Sequence, residues 1–91
     1  MYSVVYTHQF KRAIRLCAKR GLDVNKVAVI VNQLRAIGEL PEQYHSHKLK
    51  GCHNHNTWEC HIEADWLLVW EQNDRQLTLL MLDTGTHADL F

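Results

Sequence analysis

The hydrophobic pattern begins with the spacing of a strand and then changes to that of a helix. The run YSVVY (2–6) is short, β-branched and aromatic, which predicts a strand. Thr7 suits the N-cap of a helix that continues to about Arg20 and ends at Gly21. Its apolar side chains recur at helical spacing, and most of its basic residues fall on the other side. The apolar positions are Phe10, Ala13, Ile14 and Cys17.

A second amphipathic helix is predicted to follow at once. Asp23 is its expected N-cap, and Gly38 and Pro41 end it. Two such helices joined by a short link predict an antiparallel helical hairpin. The apolar stripe of the second helix is Val27, Ile30, Val31 and Leu34.

The pattern changes to strands after residue 56. Residues 57–62 alternate, with Glu59 and His61 on the face opposite Trp58, Cys60 and Ile62. The runs WLLVWE (66–71) and LTLLML (77–82) are apolar on both faces, as expected of central strands. Residues 72–76 contain Asn73-Asp74, which favours a hairpin between these two strands.

These elements predict an α+β fold: an N-terminal strand, a two-helix hairpin, and antiparallel strands forming one sheet with the helices packed on it. The 91 residues allow a single domain over 1–91. There is no run of 18 apolar residues and no signal-peptide layout, so we expect a cytoplasmic protein that does not use a membrane. An odd count of three cysteines predicts reduced thiols, with Cys17 and Cys60 in the core.

Charge is unevenly distributed although the net charge is zero. Residues 1–50 carry nine basic and three acidic residues, and residues 51–91 carry one basic and seven acidic residues. This asymmetry indicates an anionic partner for the first half. The alternative is that the basic residues of the first helix only form its solvated face. Those residues are Lys11, Arg12, Arg15, Lys19 and Arg20.

The segment YHSHKLKGCHNHN (44–56) holds four of the seven histidines. Histidines two apart on an extended segment point to the same side and can share a zinc ion. No CxxC or HExxH motif supports such a site, and loop histidines are usually solvated. The candidate ligands are His45, His47, Cys52, His53, His55, Cys60 and His61.

Distant residues suggest a second kind of site. His47, His61, Asp65 and His87 would converge near one edge of an antiparallel sheet. Two imidazoles and a carboxylate are the groups needed for metal-free RNA cleavage, because histidine transfers protons near neutral pH. The alternative for the tail TGTHADLF (84–91) is that Leu90 and Phe91 merely cover the sheet and leave His87 exposed.

Three motifs in this order resemble the YafQ branch of the RelE/ParE toxins of bacterial type II toxin–antitoxin modules. They are HKLKG (47–51), HIEADWLLVW (61–70) and TGTHADLF (84–91). The resemblance implies the RelE-like arrangement of strands and helices. It also implies a ribosome-dependent endoribonuclease that cuts mRNA in the ribosomal A site without metal or cofactor, leaving a 2′,3′-cyclic phosphate and a 5′-hydroxyl.

The resemblance also implies roles for individual residues. His87 would be the general acid, and His47 or His61, helped by Asp65, would be the general base. The remaining imidazole would bind phosphate, and Phe91 would stack on a base. Glu59 and Trp66 would support the site. The residues expected to contact RNA or the ribosome are Lys11, Arg12, Arg15, Lys19, Lys48 and Lys50.

The implied partners are a DinJ-like ribbon-helix-helix antitoxin and the 70S ribosome with mRNA in its A site. An acidic antitoxin segment would meet the basic face Lys11–Lys19 and cover the cleft between His47 and His87. Operator DNA would be bound only through the antitoxin. Two alternatives stay open: a gyrase-type binding toxin on the same scaffold, or a decayed toxin, because Asp83 stands where some relatives carry a basic residue.

Overall fold

A computed structural model describes residues 1–49 and 56–91, which form a five-stranded sheet and three α-helices. The strand order is β1-β5-β4-β3-β2, with β1 parallel to β5 and the other pairs antiparallel. In chain order, the elements are β1 (Ser3–Tyr6), α1 (His8–Lys19), α2 (Asn25–Ile37), a 3₁₀ turn (Glu42–Tyr44), β2 (His47–Lys48), β3 (Thr57–Glu63), β4 (Trp66–Asn73), β5 (Thr78–Gly85) and α3 (His87–Leu90).

The two long helices begin differently. Thr7 caps α1 as predicted, because its hydroxyl accepts a hydrogen bond from the Phe10 N–H at 3.1 Å. The prediction of Asp23 as the N-cap of α2 is wrong, since Val24 occupies that position without a side-chain cap. The Asp23 carboxylate accepts from the Asn25 N–H at 3.0 Å, an Asx turn that uses the side chain one residue too early.

The core lies between one face of the sheet and the helices α1 and α2. The predicted stripes of both helices pack here, and Cys17 and Cys60 are buried as expected. The buried hydrophobic residues of this cluster are Phe10, Cys17, Val27, Ile30, Val31, Leu34, Cys60, Ile62, Trp66, Leu68, Trp70, Leu79 and Met81. The opposite face of β3, which carries Glu59 and His61, is turned away from these helices.

Helix α2 ends where a tyrosine closes over the backbone. Gly38 has φ +72°, and a Cβ at this position would lie 2.5 Å from the Tyr2 hydroxyl oxygen. The same hydroxyl donates to Asp74 Oδ1 at 2.6 Å, in the β4–β5 turn. A larger residue at 38 would therefore disturb the contact between the N-terminus, α2 and the hairpin.

The central strands and their hairpin form as predicted. β4 and β5 occupy the middle of the sheet, and the Asn73 side chain accepts from the N–H groups of Arg75 and Gln76 at 3.0 Å each. The last strand starts one residue later than predicted because Leu77 belongs to the turn, with φ +52°. Across the described ranges 1–49 and 56–91, no helix has the length and apolar character needed to span a bilayer.

Candidate active site

Sheet register brings the candidate residues together. Across β3, β4 and β5, one row of facing residues is Glu59, Val69 and Asp83, and the next is His61, Leu67 and Gly85. Since Gly85 ends β5, the chain enters α3 beside His61 and presents His87 there. The predicted convergence of distant residues therefore follows from strand pairing.

Asp65 and His87 form a close polar contact at the centre of this region. Asp65 lies in the β3–β4 turn, and its Oδ1 is 2.7 Å from His87 Nδ1 and 3.1 Å from the His87 backbone nitrogen. These hydrogen bonds from His87 lower the pKa of the Asp65 carboxyl below its usual value. An ionised carboxylate only accepts, so His87 Nδ1 carries a proton and Nε2 is the nitrogen left for other partners.

Asp65 does not contact the imidazole it was expected to help. Among residues 1–49 and 56–91, the hydrogen bonds that the Asp65 carboxylate accepts come from His87, and not from His47 or His61, which it was expected to assist. The reason is geometric: the β3–β4 turn and the start of α3 lie at the same end of the sheet.

A row of rings extends from this contact. The His61 ring centroid lies 6.0 Å from that of His87 and 6.1 Å from that of His45. Phe91 lies 6.5 Å from His87 on the other side and is 69% exposed. His45 was not predicted as part of this arrangement, although its position in the histidine-rich segment was a signal.

His47 is held apart from this row by Glu59. Its Nε2 lies 3.3 Å from Glu59 Oε1, and its Nδ1 lies 3.0 Å from the His45 carbonyl oxygen. Both ring nitrogens of His47 therefore face oxygen atoms that can accept a hydrogen bond. Glu59 is only 5% exposed, and its Oε2 has no hydrogen-bond partner among residues 1–49 and 56–91.

Trp66 supports the region from the core. Its Nε1 donates to Thr84 Oγ1 at 2.9 Å, and the Thr84 hydroxyl donates to the Leu67 carbonyl oxygen at 2.7 Å. These bonds fix the end of β5 just before α3. They lie on the helix-covered face, so Trp66 itself does not reach the imidazoles.

The predicted basic residues are spread over the surface. Lys11 and Arg15 line a groove between α1 and α2, whereas Arg12 lines a second groove beside β5. Lys48 lies in β2 next to His47, with its Nζ 5.7 Å from the Trp58 ring centroid. Lys19 is exposed in the last turn of α1, and Lys50 lies outside the described residues.

A groove of about 440 Å³ adjoins the site beneath the tail. Leu90 and Phe91 form one wall, and Asp83 lies within it. The Asp83 carboxylate accepts from Gln9 Nε2 at 2.7 Å, which ties β5 to the start of α1. Asp83 therefore places negative charge next to the position where Phe91 ends the chain.

The described residues offer little to a metal. Cys60 is buried in the core, on the face opposite His61, which separates two of the candidate ligands. Cys52, His53 and His55 lie outside the described residues. Within 1–49 and 56–91, no group of three His, Cys, Asp or Glu side chains is placed to hold a metal ion.

Comparison with known proteins agrees with this geometry. A model of the family described as "Bacterial toxin of type II toxin-antitoxin system, YafQ" matches residues 2–91. The chain belongs to the YafQ family. The mRNA interferase toxin YafQ of Escherichia coli K12 is 32% identical over 93 residues, covering 97% of this chain and 94% of that protein.

Solved structures of bacterial toxins share the fold. The E. coli DinJ–YafQ complex has a TM-score of 0.90 at 32% identity, covering 100% of this chain and 99% of that one. A copper-bound mutant toxin from Helicobacter pylori has a TM-score of 0.89 at 28% identity, with both chains fully covered. The resemblance to YafQ toxins and the predicted α+β, RelE-like fold are thereby confirmed.

Proposed function

We propose that this YafQ-family toxin is a ribosome-dependent endoribonuclease that cuts mRNA in the A site and stops translation. Its family membership and the name of its E. coli relative, an mRNA interferase at 32% identity, support this activity. The observation that carries the proposal is His87, held by Asp65 at 2.7 Å beside His61. We also propose that residues 1–91 act as one domain, since β1 and β5 pair across the length of the chain.

Cleavage of this kind needs two proton transfers at one phosphate. A base takes the proton from the ribose 2′-hydroxyl, whose oxygen attacks phosphorus, and an acid protonates the departing 5′-oxygen. The products are a 2′,3′-cyclic phosphate and a 5′-hydroxyl. Neither step requires a metal if the imidazoles transfer the protons.

His87 is suited to act as the general acid. Asp65 accepts from its Nδ1, so the ring is fixed and Nε2 is directed to the substrate side. Phe91, 6.5 Å away and largely exposed, is available to stack on an unpaired base.

His61 is suited to act as the general base, and His47 is suited to bind the phosphate. The His61 ring faces His87 across 6.0 Å, so acid and base can approach one phosphate from two sides. His47 faces the buried Glu59 side chain with one nitrogen and the His45 carbonyl oxygen with the other, so its ring is held in a fixed orientation. A fixed cation would stabilise the charge that develops on the phosphorane oxygens.

The implied partners follow from the same family. The E. coli relative is found in complex with DinJ, and we propose a DinJ-like ribbon-helix-helix antitoxin for this chain. The groove between α1 and α2 has an apolar floor that includes Phe10 and Ile14, and Lys11 and Arg15 lie at its edge. An amphipathic, acidic antitoxin segment would complement this surface. Operator DNA would be bound through the antitoxin alone.

We infer a cytoplasmic location because the proposed targets are ribosomes. The basic residues Lys11, Arg12, Arg15, Lys19, Lys48 and, outside the described part, Lys50 would face rRNA or mRNA phosphates. Phosphate contacts make such binding fall with rising salt, which gives a simple check on this role.

The test is mRNA cleavage in a reconstituted translation system, mapped by primer extension. Wild type is compared with His87→Ala, each with and without chelator, and with free RNA in place of ribosomes. His8→Ala is the matched control, because His8 is an exposed histidine at the start of α1. Cuts within A-site codons that need ribosomes, survive chelator and disappear only in His87→Ala support the proposal.

Other outcomes would replace it. No cleavage by folded wild-type protein would favour the gyrase-type or decayed alternative. Asp83 would then be the first residue to replace with a basic one. Cleavage that chelator abolishes would point to a metal. The H. pylori toxin is copper-bound in its structure, so copper and zinc are the ions to add back.

A further inference from the structure

Helix α3 is too short to keep its shape by itself. It has four residues, His87–Leu90, and carries His87 at its first position with Phe91 directly after it. Isolated helices of this length are not stable in water. The orientation of His87 therefore depends on what holds α3 to the rest of the protein.

Asp89 is central to that attachment. Its Oδ2 accepts from the Thr86 N–H at 2.9 Å, and Thr86 Oγ1 accepts from the Asp89 N–H at 3.2 Å. This reciprocal pair is a capping box that closes the first turn around His87. The sequence signal for it was Thr-x-x-Asp at 86–89, which sequence inspection overlooked.

The same carboxylate is gripped by Arg20 from the end of α1. Arg20 Nη1 lies 2.6 Å from Asp89 Oδ2, and Nη2 lies 3.2 Å from Oδ1, so the guanidinium is bidentate. Arg20 is the C-cap residue of α1, and its backbone N–H donates to the Leu16 and Cys17 carbonyl oxygens. The guanidinium that binds Asp89 is therefore attached to a hydrogen-bonded position at the C-terminal end of α1.

Close packing also defines where Asp89 can lie. A Cβ on Gly85 would be 2.8 Å from Asp89 Oδ2 and 2.9 Å from Asp89 Cβ. The turn from β5 into α3 therefore has no room for a larger side chain while Asp89 is in place. The Asp89 carboxylate is therefore fixed in position by its contacts with Arg20, Gly85 and Thr86.

We propose that Arg20 and Asp89 are positioning residues that hold α3 so that His87 stays against Asp65 and beside His61. Among residues 1–49 and 56–91, neither side chain hydrogen-bonds to Asp65 or to an imidazole, so both act through the backbone of α3. A displacement of about 1 Å in a catalytic group can lower a rate about 100-fold. The expected effect on the cleavage rate rests on the proposed function, whereas the effect on the placement of His87 does not.

The ion pair should affect placement more than global stability. The side chains of Arg20 and Asp89 are 42% and 28% exposed, and pairs of this kind add little to the free energy of unfolding. The chain contains a matched pair, Lys26–Glu63, whose side chains are 50% and 44% exposed and are not among those that hydrogen-bond α3 in the described part of the chain. Lys26→Gln is therefore the control for loss of a surface ion pair.

Three variants separate the two functions of Asp89. Arg20→Gln removes the fork and keeps the capping box, Asp89→Asn keeps an oxygen for the cap but loses the charge, and Asp89→Ala loses both. We expect the cleavage rate on saturating ribosomes to fall roughly 10-fold in the first two and about 100-fold in Asp89→Ala. The melting temperature of Arg20→Gln should match that of Lys26→Gln, which should cleave like wild type.

NMR on the free protein tests placement without ribosomes. The pKa of Asp65, lowered in wild type by its bonds to His87, should return toward its usual value in Arg20→Gln and Asp89→Ala. Asp89→Ala is the decisive variant, because loss of the nearby Asp89 charge by itself would lower the pKa of Asp65, so a rise reports displacement of His87. The same variants should show faster amide exchange at Phe91, whose N–H donates to the His87 carbonyl oxygen at 2.9 Å. Lys26→Gln should change neither.

The outcomes are distinct. Slow Phe91 exchange in Arg20→Gln, together with an Asp65 pKa in Asp89→Ala that is no higher than in wild type, would overturn the positioning role whatever the activity. An inactive wild type with the expected NMR changes would refute the endoribonuclease and leave the positioning of His87 supported. A loss of ribosome affinity without change in saturated rate or NMR would reassign Arg20 to binding and overturn the inference.

Discussion

Asp65 accepts two hydrogen bonds from His87, one from the ring at 2.7 Å and one from the backbone at 3.1 Å. One carboxylate therefore orients the imidazole and also holds the first N–H of α3. This double contact joins the β3–β4 turn to the C-terminal helix. It is the structural basis for the acid role given to His87.

Asp65→Asn should lower single-turnover cleavage on stalled ribosomes about 10-fold. The amide oxygen can still accept one of the two bonds, but the negative charge beside the His87 ring is lost. His87→Ala should cost more, on the order of 10²- to 10⁴-fold, as for loss of a general acid. Glu63→Gln removes a neighbouring carboxylate and should leave the rate within about twofold. Equal rates for Asp65→Asn and wild type would refute the coupling.

Glu59→Gln should reduce cleavage without reducing stability. The buried carboxylate has one oxygen without a partner among the described residues, and a neutral amide costs less to bury than a charge. We expect a melting temperature equal to or above that of wild type and at least a tenfold slower cleavage, because His47 loses its anionic partner. Calorimetry and the cleavage assay check this. A lower melting temperature would mean that Glu59 is structural.

Asp83→Lys should strengthen binding to ribosomes. Asp83 lines the groove beneath Phe91, where its negative charge opposes RNA phosphates. With a lysine there, one new phosphate contact would steepen the plot of log affinity against log salt concentration by about 0.7. Glu39→Lys makes the same charge change at an exposed site remote from this groove and controls for net charge. An unchanged salt slope would remove Asp83 from the RNA-facing surface.

Alkaline pH should destabilise the fold through its buried thiols. Burial raises the pKa of Cys60 to about 12 and raises that of Cys17. Between the ordinary thiol pKa near 9 and about 12, the unfolded chain loses a proton that folded Cys60 keeps. Stability should therefore fall with rising pH by about 1.4 kcal/mol per unit from this group.

Urea titrations at several pH values between 8 and 11 would measure this slope. A Cys60→Ala variant, although less stable at neutral pH, should show a shallower decline. Identical slopes for the two proteins would show that Cys60 does not carry the effect. Cys52→Ser is introduced into both proteins, so that ionisation of the third cysteine does not contribute to the difference between them.

Charge reversal on α1 should weaken antitoxin binding. Lys11→Glu with Arg15→Glu places two negative charges beside the apolar groove of α1 and α2. Affinity for an acidic antitoxin segment should fall about 10- to 100-fold, and the difference from wild type should shrink as the salt concentration rises. Isothermal titration with the antitoxin peptide measures this. Unchanged affinity would place the antitoxin elsewhere on the toxin.

The local elements were predictable because their causes lie within a few residues. Apolar side chains at helical spacing placed α1 and α2, and the two-sided apolar runs placed β4 and β5 at the centre of the sheet. Three short motifs, read together, also indicated the family. The failures were at element ends, where Asp23 bonds to Asn25 and Leu77 enters the turn.

The contacts of the site were decided by tertiary structure. No periodicity relates Asp65 to His87, or Arg20 to Asp89, because these residues are 22 and 69 positions apart. Their meeting depends on strand register, including the shift between β4 and β5 at Val69 and Trp70, and on β1 pairing in parallel with β5. The sequence by itself determined which side chains were present and the elements that carry them. Packing of those elements determined which imidazole each carboxylate would hold.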